Sequence, residues 1–341
     1  MTRCRGYDQP VTTDTAATSG LVAAVTASDS ALRRFLFALP GVDEVGAQQR
    51  VAALSTRSIK TSTKVAAIDL AISMIDLTTL EGMDTPGAVA SLCAKAVRPD
   101  PTDSTTPHVA AVCVYNDLVA SARSSLSLIP GGDDIGIAAV TTAFPSGRAS
   151  LEVKLADTAT ALRDGASEID MVIDRGMFLS GRYLEVFEQI VAVKSACVRH
   201  GRATGTDPHL KVILETGELQ TYDNVRRASW LSMLAGADFI KTSTGKVSPA
   251  ATLPVTLVML EAVRDFRESE GRQIGVKPAG GIRTTKDALR YLVLVNETVG
   301  ADWLSARWFR LGASSLLNDL LLQRQKLRTG VYASPDDVTT G

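Results

Sequence analysis

Eight short β-like runs, separated by segments of helical periodicity, constrain the fold of this chain more than any other feature. The runs are Ala71 to Leu77, Val109 to Tyr115, Ile135 to Phe144, Glu168 to Ile173, Leu210 to Glu215, Asp238 to Thr242, Ile274 to Lys277 and Trp308 to Gly312. Between them lie apolar stripes. Val255, Val258, Met259, Ala262, Val263 and Phe266 fall at i, i+3, i+4, i+7, i+8 and i+11, and Leu184, Phe187, Val191 and Val198 mark another. Asp84-Thr85-Pro86 and Ser248-Pro249 each read as a cap followed by proline at the first helical position. Strands alternating with helices give a parallel sheet, and eight of them across roughly 240 residues suit closure into a (β/α)8 TIM barrel better than an open doubly wound sheet. No G-x-G-x-x-G follows the first run and no G-x-x-x-x-G-K-[ST] occurs, which argues against dinucleotide and ATP chemistry.

The chain has 341 residues, enough for one large core plus extra segments. Residues 1–69 read as an N-terminal extension, partly disordered or helical, with Ala31 to Leu39 as a short helix; residues 70–330 form the barrel and 331–341 a C-terminal tail. Lys and Arg number 36 against 37 Asp and Glu, a net charge of −1, so there is no electrostatic footprint for nucleic acid or an anionic membrane. Cys4, Cys93, Cys113 and Cys197 form no C-x-x-C pair and His108, His200 and His209 are the only histidines. A zinc cluster is disfavoured and a reduced cytoplasmic setting is expected, with no metal. No run approaches the roughly 18 apolar residues of a membrane span, and Leu21 to Ala27 makes a poor secretory signal.

Barrel chemistry gathers at the C-terminal ends of strands. Lys241 ends the sixth run, Lys277 ends the seventh and Asp170 lies in the fourth. Partial desolvation or a nearby second cation leaves a lysine neutral and nucleophilic, able to form a Schiff base with a carbonyl. Alone, Lys241 reads equally as a snorkelling side chain or a structural ion pair. Two lysines on adjacent strands turn the reading toward catalysis, because crowding ammonium groups costs energy. The following loops, Gly245-Lys246, Gly280-Gly281-Ile282-Arg283 and Gly312-Ala313-Ser314-Ser315, are rich in glycine, and the last opens a helix with Leu316, Leu317, Leu320 and Leu321. Each loop singly reads as a tight βα turn. Together, after runs six to eight, they read as a phosphate site.

These residues resemble a known family. Ile75-Asp76-Leu77-Thr78-Thr79-Leu80, Ala111-Val112-Cys113-Val114-Tyr115, Glu168-Ile169-Asp170-Met171-Val172-Ile173, Leu214-Glu215-Thr216-Gly217-Glu218-Leu219, Phe239 to Lys246, Lys277 to Arg283 and Gly312 to Ser315 closely resemble the deoxyribose-phosphate aldolases, in order, from about residue 70 to about 335. The resemblance implies a class I aldolase that reversibly splits 2-deoxy-D-ribose 5-phosphate into acetaldehyde and D-glyceraldehyde 3-phosphate, without cofactor or metal. It makes Lys241 the Schiff-base lysine, Lys277 the neighbouring cation that promotes its neutral form, and Asp170 a partner of Lys277 and water in a proton relay. Lys246, Gly245, Gly280, Gly281, Arg283, Gly312, Ser314 and Ser315 carry over as the phosphate cradle, and Asp76 and Thr78 as positions near the substrate hydroxyls.

Lys211 and Glu215 read either as a buried ion pair or as contacts of the catalytic water network, and Cys113 reads equally as core filler. The usual Cys-Val-Tyr-Pro is here Cys113-Val114-Tyr115-Asn116, and the chain does not end in the tyrosine some members carry, Tyr332 being the nearest. The expected partners are a phosphorylated sugar, acetaldehyde and a second copy of the chain in a homodimer. The alternatives are another Schiff-base aldolase or transaldolase acting on a different phosphorylated sugar, and a barrel that binds sugar phosphate without turnover.

Overall fold

The computed structural model describes residues 20–57 and 61–331; Tyr332, the rest of the predicted tail and Cys4 lie outside them. The strands are β1 (Ile75–Thr78), β2 (Ala111–Tyr115), β3 (Gly136–Thr141), β4 (Glu168–Val172), β5 (His209–Ile213), β6 (Phe239–Lys241), β7 (Gly275–Lys277) and β8 (Leu311–Ala313). All neighbours pair in parallel, in the order β7-β6-β5-β4-β3-β2-β1-β8. Bridges Val276↔Phe309 and Ala279↔Gly312 close β7 onto β8, and the result is the expected (β/α)8 barrel. Among the described residues thirteen α-helices accompany it: α1 (Gly20–Val25), α2 (Asp29–Ala38), α3 (Glu44–Ser55) and α4 (Thr61–Ser73) before the barrel, then α5 (Pro86–Val97), α6 (Val119–Ser127), α7 (Leu151–Arg163), α8 (Arg175–Leu179), α9 (Tyr183–Thr204), α10 (Tyr222–Leu234), α11 (Leu253–Glu270), α12 (Thr285–Val299) and α13 (Leu316–Thr329).

Period-two alternation divides each strand between two environments. Outward residues such as Leu77, Val112, Met171, Val212, Ile240 and Val276 join the helices in one large core. Inward residues split again. Cys113, Ala138 and Val140 form a separate apolar cluster with Leu80, lined by Tyr115 and Phe144, whereas Asp76, Glu168, Asp170, Lys211, Lys241, Lys277 and Arg310 bury charge in the interior.

Several sequence expectations shift. The first run splits, because Ala71, Ile72 and Ser73 end α4 and only Ile75 onward is strand; a continuous apolar stretch carries no mark of where a buried helix stops. The boundary at residue 70 therefore cuts α4. In the third run Thr142 and Ala143 leave the strand with φ of 62°, and in the eighth run the strand begins only at Leu311, after the lone bridge at Phe309. Ser248-Pro249 starts no helix: α11 begins at Leu253, capped by Thr252. Thr85 caps α5 with Pro86 behind it as read, and Ala31 to Leu39 lies largely within α2. The α11 stripe is buried throughout. On α9 the deepest face is instead Val186, Phe187, Ile190, Val193 and Cys197. The described part of the extension is mostly helical, and it packs outside the barrel: α2 against α9 and α10, α3 against α11 and α12, α4 against α12 and α13. Leu32 and Leu36 of α2 are fully buried there.

Candidate active site

Strand register brings the catalytic candidates together. Lys241 of β6 lies opposite Lys277 of β7, and Asp170 of β4 opposite Lys211 of β5. All four side chains point into the barrel. Lys241 Nζ and Lys277 Nζ both donate to Asp170 Oδ2 at 2.8 Å, and Lys211 Nζ donates to Oδ1 of the same carboxylate at 3.1 Å. Asp76 lies beneath them. Its Oδ2 is 2.5 Å from Lys277 Nζ and 3.7 Å from Lys211 Nζ, as ion pairs without hydrogen-bond geometry, while its Oδ1 accepts from Arg310 at 2.6 Å. Arg310 also reaches Glu168 at 2.9 Å, and Glu168 pairs with Lys211. Four basic side chains thus face three carboxylates in a buried layer.

That balance sets the protonation of the interior. Burial opposes the charge of Lys277, but Asp170 and Asp76 outweigh it and hold the group well above the usual lysine value. Burial likewise works against Asp170, and Lys211, Lys241 and Lys277 together hold its carboxyl well below the usual range. Asp76 is lowered in the same way, burial being overcome by Lys277, Arg310 and Lys211. Lys277 is therefore a fixed cation and Asp170 a fixed anion, and the Asp170 oxygen is shared by the Lys277 and Lys241 amines.

Above this layer a cavity of about 390 Å³ opens at the C-terminal ends of the strands. Lys241 stands at its floor. Its walls include Thr78, Gly245, Lys246, Gly280, Gly281, Arg283, Gly312, Ser314 and Ser315, so the nucleophile candidate and the predicted anion cradle share one chamber. Asp170, Lys277 and Asp76 do not line it. Asp76, expected near the substrate hydroxyls, lies below the lysine layer instead, because the strand residue that reaches the mouth on β1 is Thr78, two positions on.

Two glycines are required by close approach. At Gly280, with φ of +77°, an added Cβ would stand 2.8 Å from Ala250 Cβ and 3.1 Å from Gly245 Cα, and at Gly312 it would stand 2.8 Å from Ala279 Cβ and 3.1 Å from Lys277 Cε. The α13 N-terminus opens on the same cavity, since Ser315 at its N-cap makes no side-chain capping bond and leaves backbone N–H groups for an anion.

Lys211 and Glu215 do not pair. Glu215 turns out of the strand with φ of 54° and accepts from Thr244 N at 3.3 Å and from the Thr244 hydroxyl at 2.5 Å, bracing the loop that carries Lys246. Burial raises its carboxyl. Sequence reasoning missed Arg310, Glu168 and Glu81. The first two share the inward register of Asp76 and Asp170, a period-two signal present in the runs; Glu81, which lines the cavity, sits in a loop with no such signal. Among the described residues, no group of three or more His, Cys, Asp or Glu is placed to hold a metal ion.

Solved structures place this architecture among the aldolase barrels. A Toxoplasma gondii chain provisionally assigned as a deoxyribose-phosphate aldolase superposes with a TM-score of 0.68 at 25% identity, covering 80% of this chain and 100% of that one. A tetrameric deoxyribose phosphate aldolase from Aeropyrum pernix shares the fold with a TM-score of 0.55 at 24% identity, over 80% and 97%. The chain belongs to the DeoC/LacD family of aldolases, whose family model matches residues 66–321. Among its relatives, human deoxyribose-phosphate aldolase is 43% identical over 290 residues, 83% of this chain and 88% of that protein, and the mouse protein is 44% identical over the same shares.

Proposed function

We propose that the protein reversibly cleaves 2-deoxy-D-ribose 5-phosphate to D-glyceraldehyde 3-phosphate and acetaldehyde through a Schiff base on Lys241. The observation that carries this is the single Asp170 oxygen holding both Lys241 and Lys277 at 2.8 Å, directly beneath a glycine-lined chamber that Lys241 alone of the three reaches. The neutral Lys241 amine adds to the C1 aldehyde of the open-chain sugar, and loss of water leaves a protonated imine. The C3 hydroxyl then gives up its proton, and the electrons of the C2–C3 bond move into the imine, forming an enamine and releasing glyceraldehyde 3-phosphate. Protonation of the enamine at C2 and hydrolysis free acetaldehyde and restore the amine.

The buried layer sets Lys211, Lys241, Lys277 and Arg310 against Asp76, Glu168 and Asp170. Lys241 alone of the four lines the cavity. Lys277 supplies positive charge beside the forming imine. Asp170, so firmly ionised, is a weak base by itself; its supported role is to orient both amines and to pass protons between Lys277 and water. The cradle then takes the 5-phosphate, with Lys246 and Arg283 as its charges and the α13 N-terminus, Ser314 and Ser315 as donors.

We place the reaction in a reducing cytoplasm, supported by Cys93, Cys113 and Cys197 being free and buried. Among the described residues no helix is long and apolar enough to cross a membrane. A homodimer remains the proposed assembly, from the family resemblance. The mechanism is tested by incubating the enzyme with acetaldehyde and borohydride and mapping peptides by mass. An ethyl group on Lys241, absent from Lys241→Ala, is expected; no adduct, or one on another lysine, sinks the assignment.

A further inference from the structure

The cavity carries a charge of the wrong sign for an anion site. Among the described residues that line it, Glu81 is the single acidic one. Its backbone is fixed by a small turn: Thr79 Oγ1 and Glu81 N donate to the two oxygens of Asp84 at 2.8 and 2.9 Å, and Asp84 N donates to Glu81 O at 3.0 Å. Across the mouth, Lys246 N donates to Thr244 Oγ1 at 3.1 Å, and Thr244 is held by Glu215. From these two braced loops, 165 residues apart in sequence, the side chains meet with Lys246 Nζ 2.9 Å from Glu81 Oε1.

We infer that Glu81 is a specificity-determining residue, an internal carboxylate that competes with substrate phosphate for Lys246 and sets how strongly the enzyme prefers phosphorylated over unphosphorylated sugar. The inference rests on the reading of this chamber as the phosphate site. Three facts carry it. The pair spans the chamber instead of lying on an outer face. The Glu81 side chain is 67% exposed and that of Lys246 31%, so water screens the pair and an arriving dianion can displace it. A phosphate of charge about −1.5 to −2 at pH 7 also meets the Glu81 carboxylate itself as a like charge on the rim. When phosphate takes Lys246, Glu81 returns to solvent at little cost.

A carboxylate that merely tied two loops together would leave phosphate affinity unchanged when replaced, and one that aimed Lys246 at the ligand would weaken it. Competition predicts the opposite sign. Binding of inorganic phosphate to the wild type and to Glu81→Gln is compared by titration calorimetry, alongside the ratio of kcat/KM for 2-deoxyribose 5-phosphate to that for 2-deoxyribose. The wild type and the variant are checked for equal melting, which the exposure of Glu81 leads us to expect.

The expected result is phosphate binding tighter by about threefold in Glu81→Gln at low ionic strength, the size of one exposed ion pair. The specificity ratio should rise by a similar factor, and both effects should shrink at about 0.5 M salt, where screening acts over a few Å. Unchanged or weaker phosphate binding in the variant overturns the inference. Failure of the aldolase assignment is read separately, from absence of the borohydride adduct on wild-type Lys241, and leaves the calorimetric comparison intact.

Discussion

Replacing Asp170 by asparagine keeps the shape of the side chain and removes the charge that three lysines share. The carboxylate is fully buried, with Lys241 and Lys277 at 2.8 Å and Lys211 at 3.1 Å. Without it, four cations face only Asp76 and Glu168, and the amide presents an N–H to at least one ammonium. Breaking a buried ion pair from one side costs about 3–5 kcal/mol. In a barrel of this size each kcal/mol moves the midpoint by roughly 2–4 °C, so Asp170→Asn should melt about 6–20 °C lower at pH 7. The sign with pH follows from the depressed carboxyl of Asp170. Its contribution is fully present above the unfolded value near 4 and is lost as pH falls below that toward the folded value. The gap between wild type and variant should therefore be constant from about pH 5.5 to 8 and narrow below pH 4. Thermal melts followed by circular dichroism read both quantities. A variant that melts with the wild type at pH 7, or a gap that widens in acid, would refute a buried anion among lysines at this position.

Two further substitutions probe the chamber. Lys246→Ala should raise KM for 2-deoxyribose 5-phosphate about tenfold, the value of one charged hydrogen bond, with kcat for that substrate within about threefold; an unchanged KM removes Lys246 from the phosphate site. Gly312→Ala places a methyl 3.1 Å from Lys277 Cε and 2.8 Å from Ala279 Cβ, which should cost about 1–3 kcal/mol in stability. By displacing the Lys277 amine it should also lower kcat about a hundredfold, and wild-type kcat in this variant contradicts a tightly placed Lys277.

What the sequence made legible was whatever repeats or ends abruptly. Lys241 and Lys277 stand out because each terminates an apolar run, and the buried stripe of α11 emerges because one face of that helix is wholly apolar. Asp76 was harder. Its strand follows α4 without a polar break, so neither the strand start nor the depth of Asp76 below Thr78 can be counted from the sequence. On α9, Leu184 and Val191 look like core residues and are only partly buried, because α2 of the extension covers a second face of that helix and blurs a one-sided pattern. Arg310 is a charge inside a short strand-like run. Only the closed barrel shows that it bridges Asp76 and Glu168, since those partners lie 234 and 142 residues away. The contact of Glu81 with Lys246 is of the same kind, a meeting of loops that no local periodicity encodes.

The helices before the barrel lie over α9 to α13, the layer behind β5 to β8, and among the described residues β2 and β3 have a single layer behind them. Local opening is governed by how much packed material must move, so the two halves of the barrel differ in compliance. Lys241, Lys277 and the glycine-rich loops belong to the doubly backed half. Cys113, Ala138 and Val140, with Tyr115 and Phe144 at their rim, form the thinner wall. The barrel is thus built unevenly, backed twice behind the two strand-end lysines and the glycine-rich loops and once behind the apolar cluster of its interior.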